Sequence, residues 1–497
     1  MENVSAESRK VLIMSTLAFT VCFAVWMLNG VLVTFLVEKD VYDWSPTQIG
    51  LLMGIPVLSG ALFRLPVGIL TDRFGGKPIF TLLLIICAIP LFIMSFMDSY
   101  WGFMLCSLAF GIVGSSFAVA TTFTSVWYPI KWQGRALGIV GAGNAGAGIT
   151  TLIAPTLLEN ITVGGEVIEN WRWLPSFYGI ALLIMAVLFF LIVKNKKPEQ
   201  VSKTLSGLLQ PLKQMRVWRF GLYYFLVFGC FVAFAQWLVP YFVNMYYTTL
   251  ITAGILAAAF SVPSGLIRIL GGWFSDKWGA RKVMYWTLTS SMVISAMLIF
   301  PRMEIITPGA GVLAQKDGVV TFVSDSLISV DKKDYVLKSA GNVFDFSSTD
   351  KRVLIFPNKD SWHEPVVQVG DEVKKKEMLS KGTTRIYFQA NMWVAAGLII
   401  LIGSIWGIGK AAVYKHIPDY FPGKVGVVGG MVGVLGGLGG FFGPIIFGYL
   451  LESTGFWTSS WIFMFFLSAL CLFWMHSVVQ KMMKKKEPEL MRKFDNH

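Results

Sequence analysis

Long apolar blocks separated by short polar connections occupy most of the chain. Most blocks are roughly 20 residues or longer, the length a helix needs to cross a hydrocarbon core about 30 Å thick. We therefore predict an all-α integral membrane protein with twelve transmembrane helices, the first of them retained because it lacks a small-residue cleavage site. The blocks are residues 11–37, 47–70, 78–97, 101–127, 134–158, 172–193, 220–243, 250–274, 283–301, 390–415, 423–450 and 456–480.

Composition agrees with this prediction. Hydrophobic residues make up 55% of the chain and charged residues 14%, too little charge for the surface of a soluble protein of 497 residues. The five cysteines all lie within apolar blocks and show neither metal-ligand spacing nor a disulfide framework. We also find no nucleophile–base pair, and we expect no cofactor, no metal and no catalysed reaction.

The net charge of +13 is distributed unevenly between the two sides of the predicted membrane. Loops on the side of the amino terminus, together with both tails, are rich in Lys and Arg, whereas the short loops on the other side contain Lys39 and Arg172. This bias predicts that both termini are cytoplasmic. The basic run 484–486 fits a tail beside anionic lipid, so the charge indicates a membrane surface and not nucleic acid.

The two halves of the chain repeat each other. The stretch Arg64–Lys77 matches Arg268–Arg281 at an offset of 204 residues, and the match includes Asp72 with Asp276. Later pairs, such as Pro155 with Pro444, are 289 residues apart. The offset grows by 85 residues, which indicates an insertion in the second half within the hydropathy gap at 302–389.

The inserted segment differs in kind from the rest of the chain. Residues 303–387 contain twelve acidic and twelve basic residues, with short β-type runs at 319–323 and 353–356. The stretch 366–374 resembles the strand-turn-strand of biotinyl/lipoyl-like domains. The Met-Lys-Met attachment site is missing, so we expect a β-rich domain without a lipoyl or biotinyl group. The predicted topology places it on the periplasmic face, where it offers a surface for a periplasmic partner.

Six helices, a basic linker and six more helices form the parallel-repeat plan of the major facilitator class, with the substrate near the midplane. The turn after the second block also resembles the signature of that superfamily, and its expected role is conformational: Gly68, Asp72, Arg73 and Lys77, repeated as Gly272, Asp276, Lys277 and Arg281. The predicted regions are an amino-terminal half at 1–193, a linker at 194–219, three helices at 220–302, the insert at 303–388, three helices at 389–480 and a tail at 481–497.

Two arginines in the membrane-spanning blocks suggest an anion site. Arg64 and Arg268 are repeat-related and lie mid-span, while all 29 acidic residues can be assigned to loops, tails, helix ends or the insert. A cation near the bilayer centre normally faces a cavity or a partner. With no mid-span carboxylate to pair with, the two guanidinium groups are predicted to face one cavity. Their planar forks suit a planar oxyanion.

Glycine-rich stretches mark the fifth and eleventh blocks. Small residues at such spacing let membrane helices approach closely and bend. Asn144 is the exception among them, because a polar amide mid-span needs a partner or a ligand. The predicted signature and gating glycines are Gly141, Gly143, Gly146, Gly148, Gly433, Gly436, Gly437 and Gly440.

These features together resemble the nitrate/nitrite porter family. That family has paired glycine-rich signatures in helices 5 and 11 and one arginine in each of helices 2 and 8, matched here by Arg64 and Arg268. Its helix 7 tyrosine and phenylalanine match Tyr224 and Phe228, and its helix 4 phenylalanine most nearly matches Phe117. The resemblance covers all twelve blocks but not the insert. It implies that these residues and Asn144 bind nitrate and nitrite, with the rings above and below a flat anion.

We therefore expect a monomeric nitrate/nitrite antiporter of the bacterial inner membrane that works by alternating access. A proton-coupled nitrate symporter is an alternative, but His416 and His476 lie towards the ends of their spans. A small-carboxylate exchanger could use the same two arginines, and only the glycine–asparagine signature argues against it. A membrane sensor is the least favoured, because the chain contains a complete repeated transport core.

Overall fold

The computed structural model describes residues 5–197, 210–299, 302–339, 358–389, 391–421 and 425–486. The chain divides into two compact units. Unit 1 comprises Met1–Ala296 and Gly397–His497, and unit 2 comprises Met297–Ala396.

Helices account for nearly all of unit 1, and several are interrupted by a short non-α segment. In chain order they are α1 (Ala6–Trp26 and Leu28–Glu38), α2 (Pro46–Phe74), α3 (Gly76–Met94), α4 (Tyr100–Phe110 and Ser116–Trp127), α5 (Ile130–Gly141 and Gly146–Ile161), α6 (Trp173–Ile192), α7 (Met215–Tyr224 and Phe231–Tyr246), α8 (Leu250–Leu266 and Arg268–Trp278), α9 (Ala280–Leu298), α10 (Met392–Tyr420), α11 (Val425–Thr454) and α12 (Ser459–Lys486).

Ten of these helices are long and apolar enough to cross a membrane, and α8 makes eleven if its two segments, bent by 43°, are one span. The remaining one is α9. It begins beside Arg281 and Lys282, so its apolar stretch is shorter than the others. Twelve spans were predicted. Among the described residues, ten or eleven helices meet that prediction in length and composition.

Five helices lose regular α geometry near their middle. α1 breaks at Met27 and α8 at Ile267, while α4 and α5 contain 3₁₀ segments at Gly111–Ser115 and Ala142–Ala145. In α7 a π-helical segment covers Phe225–Cys230. Glycines in the 3₁₀ segments and Pro263 before the α8 bend weaken the regular hydrogen-bond ladder there. Such irregular turns re-aim side chains and often lie at functional sites.

The two six-helix halves meet along three helix pairs, α2 with α11, α5 with α8, and the second segment of α1 with α7. The closest approaches lie towards the side of the α1–α2 loop, residues 39–45. There Gly50 of α2 touches the Pro444 backbone and Gly254 of α8 touches the Thr151 backbone. The Nε2 of Gln236 in α7 also donates to the Met53 carbonyl oxygen across the halves, at 3.1 Å. The halves are therefore packed together on this side.

Unit 2 contains two small antiparallel sheets. The strands are β1 (Arg302–Leu313), β2 (Gly318–Val323), β3 (Leu327–Val330), β4 (Lys333–Val336), β5 (Asn358–Pro365), β6 (Glu372–Val373) and β7 (Met378–Gln389). One sheet has the order β1-β7-β5, and the other has the order β4-β3-β2-β6. Pairing of Arg302 with Gln389 brings together the two points where the chain enters and leaves the sheets.

A small apolar core fills this second unit. Val320, Ile328 and Leu379 are buried in it, and Tyr335 covers one edge. The predicted β run at 319–323 falls on β2, whereas the run at 353–356 lies outside the described residues. In the stretch that resembles a biotinyl/lipoyl-like domain, Gly370 adopts a positive φ of 100° at the turn that precedes β6.

Candidate functional site

A small cavity lies between the two halves of unit 1. Four helices of one half (α1, α2, α4 and α5) and two of the other (α7 and α8) line it, at the level where α4, α5 and α7 lose regular geometry. All six predicted substrate-binding residues line this one cavity, together with two phenylalanines of α1: Arg64, Arg268, Tyr224, Asn144, Phe117 and Phe228, with Phe19 and Phe23.

Arg64 is held by α2 in the interior. Its side chain is 9% exposed, and Nη1 donates to the Gly433 carbonyl oxygen of α11 at 2.8 Å. The guanidinium carbon lies 5.5 Å from the Phe228 ring centroid and 5.8 Å from that of Trp26. The Nε atom has no acceptor, and no carboxylate pairs with this arginine in the described part of the chain. One N–H donor of Arg64 thus holds its guanidinium group in place, and its other donors remain available to a ligand.

Arg268 enters the cavity from the other half. It is the first residue after the α8 bend, so the bend determines the direction of its side chain. Its guanidinium carbon lies 5.9 Å from the Phe117 ring centroid and 5.7 Å from that of Tyr414. Cations over aromatic faces are attracted by the ring quadrupole, which offsets part of the cost of placing them in a low-dielectric interior.

Aromatic rings form the walls of the cavity. Tyr224 and Phe228, one turn apart on α7, are stacked with centroids 4.9 Å apart and planes 9° apart. Across the cavity, Phe117 packs on Phe19 at 5.2 Å. These surfaces exclude water and leave flat faces beside the two guanidinium groups, a geometry that suits a flat anion.

Asn144 supplies a further donor. It lies in the 3₁₀ segment of α5 and is 1% exposed, and its Nδ2 has no hydrogen-bond partner among the described residues. A buried amide donor without an acceptor costs about 1–3 kcal/mol. The Asn144 amide and the Arg64 Nε are therefore two buried donors in one cavity that lack an acceptor.

The predicted signature glycines lie where helices pass closest to one another. Gly141 and Gly433 lie beside the guanidinium groups, because a Cβ at either would be 3.5 Å from Nη1 of Arg268 or of Arg64. At the other positions a Cβ would crowd a neighbouring helix: Gly143 on Phe19, Gly146 on the Thr20 backbone, Gly148 on Val262, Gly436 on Tyr224, Gly437 on Ala61 and Gly440 on Val57 and Val232.

Two residues of α10 near the site were not predicted from the sequence, where only the two arginines were recognised as mid-span basic residues. Lys410 is a third: it is fully buried, and its Nζ donates to Ser264 Oγ at 3.1 Å and lies 3.1 Å from the Phe231 ring centroid. Tyr414, one turn later, lies edge-on to Tyr224 and donates to the Gly429 carbonyl oxygen at 3.0 Å. A lysine inside the apolar block 390–415 was the signal that could have revealed this pair.

The repeated loop motif forms helix-end turns. Gly75 and Gly279 both have positive φ, 89° and 85°, at the α2–α3 and α8–α9 turns. Asp276 pairs with Lys415 at 2.6 Å, which links α8 to α10. By contrast, a Cβ at Gly68 or at its repeat partner would meet nothing within 4 Å, so these two glycines make no close helix contact in this state.

The two histidines considered for proton coupling lie away from the central cavity. His416 is buried and stacks on Phe220, with centroids 5.5 Å apart, and His476 lies beside Tyr285 at 6.2 Å. Neither lines the cavity between the halves. Among the described residues, no group of His, Cys, Asp and Glu could hold a metal ion.

Comparisons with known proteins identify the family. The Major Facilitator Superfamily profile matches residues 14–319. The chain is 35% identical over 501 residues to the "Probable nitrate/nitrite antiporter NarK1" of Thermus thermophilus, covering 100% of this chain and 97% of that protein. It is 29% identical to the "Nitrite extrusion protein" of Bacillus subtilis (strain 168), covering 62% of this chain and 75% of the relative.

Solved structures support the fold. A bacterial homolog of the human lysosomal transporter Spinster, in an inward-facing and occupied conformation, superposes with a TM-score of 0.64 at 13% identity, covering 96% of this chain and 98% of that one. The nucleoside transporter NupG superposes with a TM-score of 0.57 at 13% identity, covering 95% and 99%. The chain is thus a multi-pass membrane transporter of the major facilitator superfamily, and within it the chain belongs to the nitrate/nitrite porter family.

Proposed function

We propose that the protein exchanges nitrate and nitrite across the membrane and that the cavity between the halves is its anion site. The observation that carries this proposal is a cavity lined by two guanidinium groups, with no paired carboxylate in the described residues and two buried donors lacking an acceptor. A monovalent oxyanion supplies both the charge and the acceptors. The printed names of the Thermus and Bacillus relatives agree with these substrates.

Each proposed contact has a chemical reason. Arg64 and Arg268 donate bidentate hydrogen bonds to the anion's oxygens from opposite halves. Asn144 donates from α5 and the Tyr224 hydroxyl from α7, while Phe117 and Phe228 cover the faces of the planar ion. Nitrate and nitrite are both flat, singly charged and rich in acceptors, so one site accepts either.

We propose that α9 is the twelfth span and that both termini are cytoplasmic, in the bacterial inner membrane. The distribution of Lys and Arg between loops supports this orientation. The α1–α2 loop side is then periplasmic, and so is the segment inserted in the sequence between α9 and α10, which forms unit 2. The glycine contacts close the periplasmic side, so the described state is closed to the outside.

The proposed mechanism is alternating access with obligatory exchange. The anion-free site would bring two arginines together in a low-dielectric interior. A bound anion offsets this repulsion, so the halves rock readily only when the site is occupied. Nitrate and nitrite have the same charge, and exchanging one for the other moves no net charge.

Counterflow in proteoliposomes tests this function. Labelled nitrate is expected to enter vesicles loaded with nitrite and to enter empty vesicles at least about tenfold more slowly, because the unoccupied carrier does not reorient. Arginine does not titrate, and no described His, Lys, Asp or Glu side chain lines the cavity, so the rate should vary little between about pH 6 and pH 8 and should be unaffected by an uncoupler. The measurement is the initial rate with and without internal nitrite.

Three outcomes would contradict the proposal. Accumulation in empty vesicles driven by an imposed pH gradient would establish a proton symporter, with His416 the first residue to examine. Equal exchange of acetate or formate for nitrate would indicate a carboxylate exchanger. A protein that moves no anion under any loading would be a sensor.

The proposed topology makes a separate prediction for unit 2. A cysteine at Ser339, which is exposed, is expected to react with an impermeant maleimide added to intact cells. The native cysteines are all buried, so the background labelling is low. The matched variant Lys213→Cys, at an exposed position before α7, should react only after permeabilisation. The opposite pattern would invert the topology.

A further inference from the structure

A second cavity lies at the opposite end of α7 from the α1–α2 loop side. It is formed where the start of α7, the start of α9, the end of α10 and the end of α12 come together. It shares no lining residue with the central cavity, and it is open to the exterior of the protein. The transport mechanism above makes no use of it.

One wall of this cavity is cationic and rich in hydrogen-bond donors. Arg219 and Arg281 line it, and Arg281 Nη2 is 3.1 Å from the Tyr420 hydroxyl, which also lines it. No carboxylate pairs with either arginine among the described residues. Tyr223 also lines the cavity and is 2% exposed. Its hydroxyl has no hydrogen-bond partner among the described residues. Two guanidinium groups and a buried hydroxyl, none of them with an anionic partner in the described part of the chain, indicate a missing anionic acceptor.

The facing wall is apolar. Met475, Val478 and Met482, one turn apart along α12, line it and offer only methyl, methylene and thioether groups. A small hydrated anion gains nothing from such a surface, whereas an acyl chain does. Cationic donors opposite a strip of flexible apolar side chains match a molecule that has a phosphate at one end and hydrocarbon at the other.

We propose that this cavity binds the phosphate of an anionic phospholipid, with the acyl chains along α12. Basic pockets between transmembrane helices are a recognised arrangement for such headgroups. The phosphate accepts from Arg219, Arg281 and Tyr223 and so joins α7 to α9, and Arg281 in turn donates to the Tyr420 hydroxyl of α10. The end of α10 that it holds lies less than two turns from Tyr414 of the central cavity, so the lipid stabilises the half that contributes Arg268. The inference rests on this cavity and not on the proposed nitrate exchange.

The test measures lipid binding to the full-length protein in detergent. Delipidated protein is titrated with phosphatidylglycerol, phosphatidylcholine or inorganic phosphate, and binding is followed by native mass spectrometry and by the melting temperature. Phosphatidylglycerol is expected to bind and raise the melting temperature, with phosphatidylcholine at least about tenfold weaker. The double variant Arg219→Gln/Arg281→Gln should lose about tenfold or more in phosphatidylglycerol affinity, because two charge-assisted hydrogen bonds disappear.

Matched variants keep the test decisive. Tyr223→Phe removes one hydroxyl and nothing else, and it should weaken phosphatidylglycerol binding several-fold even if the double variant misfolds. Arg216→Gln removes a cation of the same α7 end that does not line the cavity, and it should leave binding unchanged. Equal binding by wild type and Tyr223→Phe, or an equal loss in Arg216→Gln, overturns the proposal. Stabilisation by inorganic phosphate without preference for the lipid overturns it as well, since the cavity is then a small-anion site.

Discussion

Replacing either core arginine by lysine is expected to lower nitrate exchange by about a hundredfold while the protein still folds and inserts. Arg64→Lys and Arg268→Lys keep the charge but lose the planar fork. Losing two charge-assisted hydrogen bonds of about 1.5–3 kcal/mol each corresponds to a factor of at least a hundred. The measurement is the counterflow rate per correctly folded transporter, judged by the elution profile in detergent.

The lysine variant of Arg64 separates a structural role from a binding role. In the described state Nη1 already bonds to the Gly433 carbonyl oxygen, which links α2 to α11. A lysine ammonium can make that single bond, so a purely structural arginine would tolerate the change. Its single nitrogen cannot at the same time present a planar pair of donors to an anion, as the guanidinium fork does. Transport near the wild-type rate in Arg64→Lys would therefore assign this arginine to helix packing.

The same substitution elsewhere provides the control. Arg172 makes ion pairs with Asp98 at 2.5 Å and Glu169 at 2.8 Å, and it is far along the chain from either core arginine. Exposed ion pairs contribute about 0–1 kcal/mol, so Arg172→Lys should leave the exchange rate within about twofold of the wild type. A loss as large as that of the core variants would show that lysine harms this protein for reasons unrelated to the cavity.

The repeat explains why the sequence revealed these two arginines and not Lys410. Arg64 and Arg268 are related by the 204-residue offset, and their symmetry made them conspicuous. At the 289-residue offset Lys410 corresponds to Thr121 and Tyr414 to Ser125, so neither has a repeat counterpart of its own type. An argument from internal symmetry finds what both halves share. The α10 contribution belongs to one half alone and needed three-dimensional contacts to be recognised.

The sequence also did not predict all of the irregular backbone segments. The 3₁₀ segment of α5 could be expected from its glycines, but the π-helical segment Phe225–Cys230 has no proline to announce it. Its extra residue per turn is stabilised by packing, because Gly229 lies against the backbone of Gly436 and Gly439 on α11. The apolar pattern predicted twelve spans, including 283–301 for the ninth. Ten or eleven of the described helices are long and apolar enough to cross a membrane, and α9, which has charges at its start, is the remaining one.

The glycine contacts on the α1–α2 loop side are themselves repeat-related. Gly50 and Gly254 differ by the 204-residue offset, and each lies against the helix of the opposite half that contains a repeat-related proline, Pro444 or Pro155. A Cβ at Gly50 would overlap the Pro444 carbonyl oxygen, and one at Gly254 would overlap that of Thr151. Backbone atoms cannot rotate away, so these two positions set how closely the halves can approach.

Valine at either glycine is expected to hold the transporter open on that side and to abolish exchange. Overpacking costs about 1–3 kcal/mol, and here the cost falls only on the closed state, which shifts the equilibrium by roughly ten- to a hundredfold per substitution. The reporter is Gln236→Cys, whose native side chain is fully buried between the halves. In the Gly50→Val or Gly254→Val background, an impermeant reagent outside should modify this cysteine at least about tenfold faster.

Gly397→Val makes the same change where the structure has room for it. A Cβ at Gly397 meets nothing within 4 Å, so neither the labelling rate nor the exchange rate should change by more than about twofold. If these contacts close the transporter, Gly50→Val and Gly254→Val should each both lose transport and label Gln236→Cys faster. If Gly50→Val abolished exchange with unchanged labelling of Gln236→Cys, the closed state would have accommodated the valine. The glycines would then serve helix packing within each state and not the choice between states.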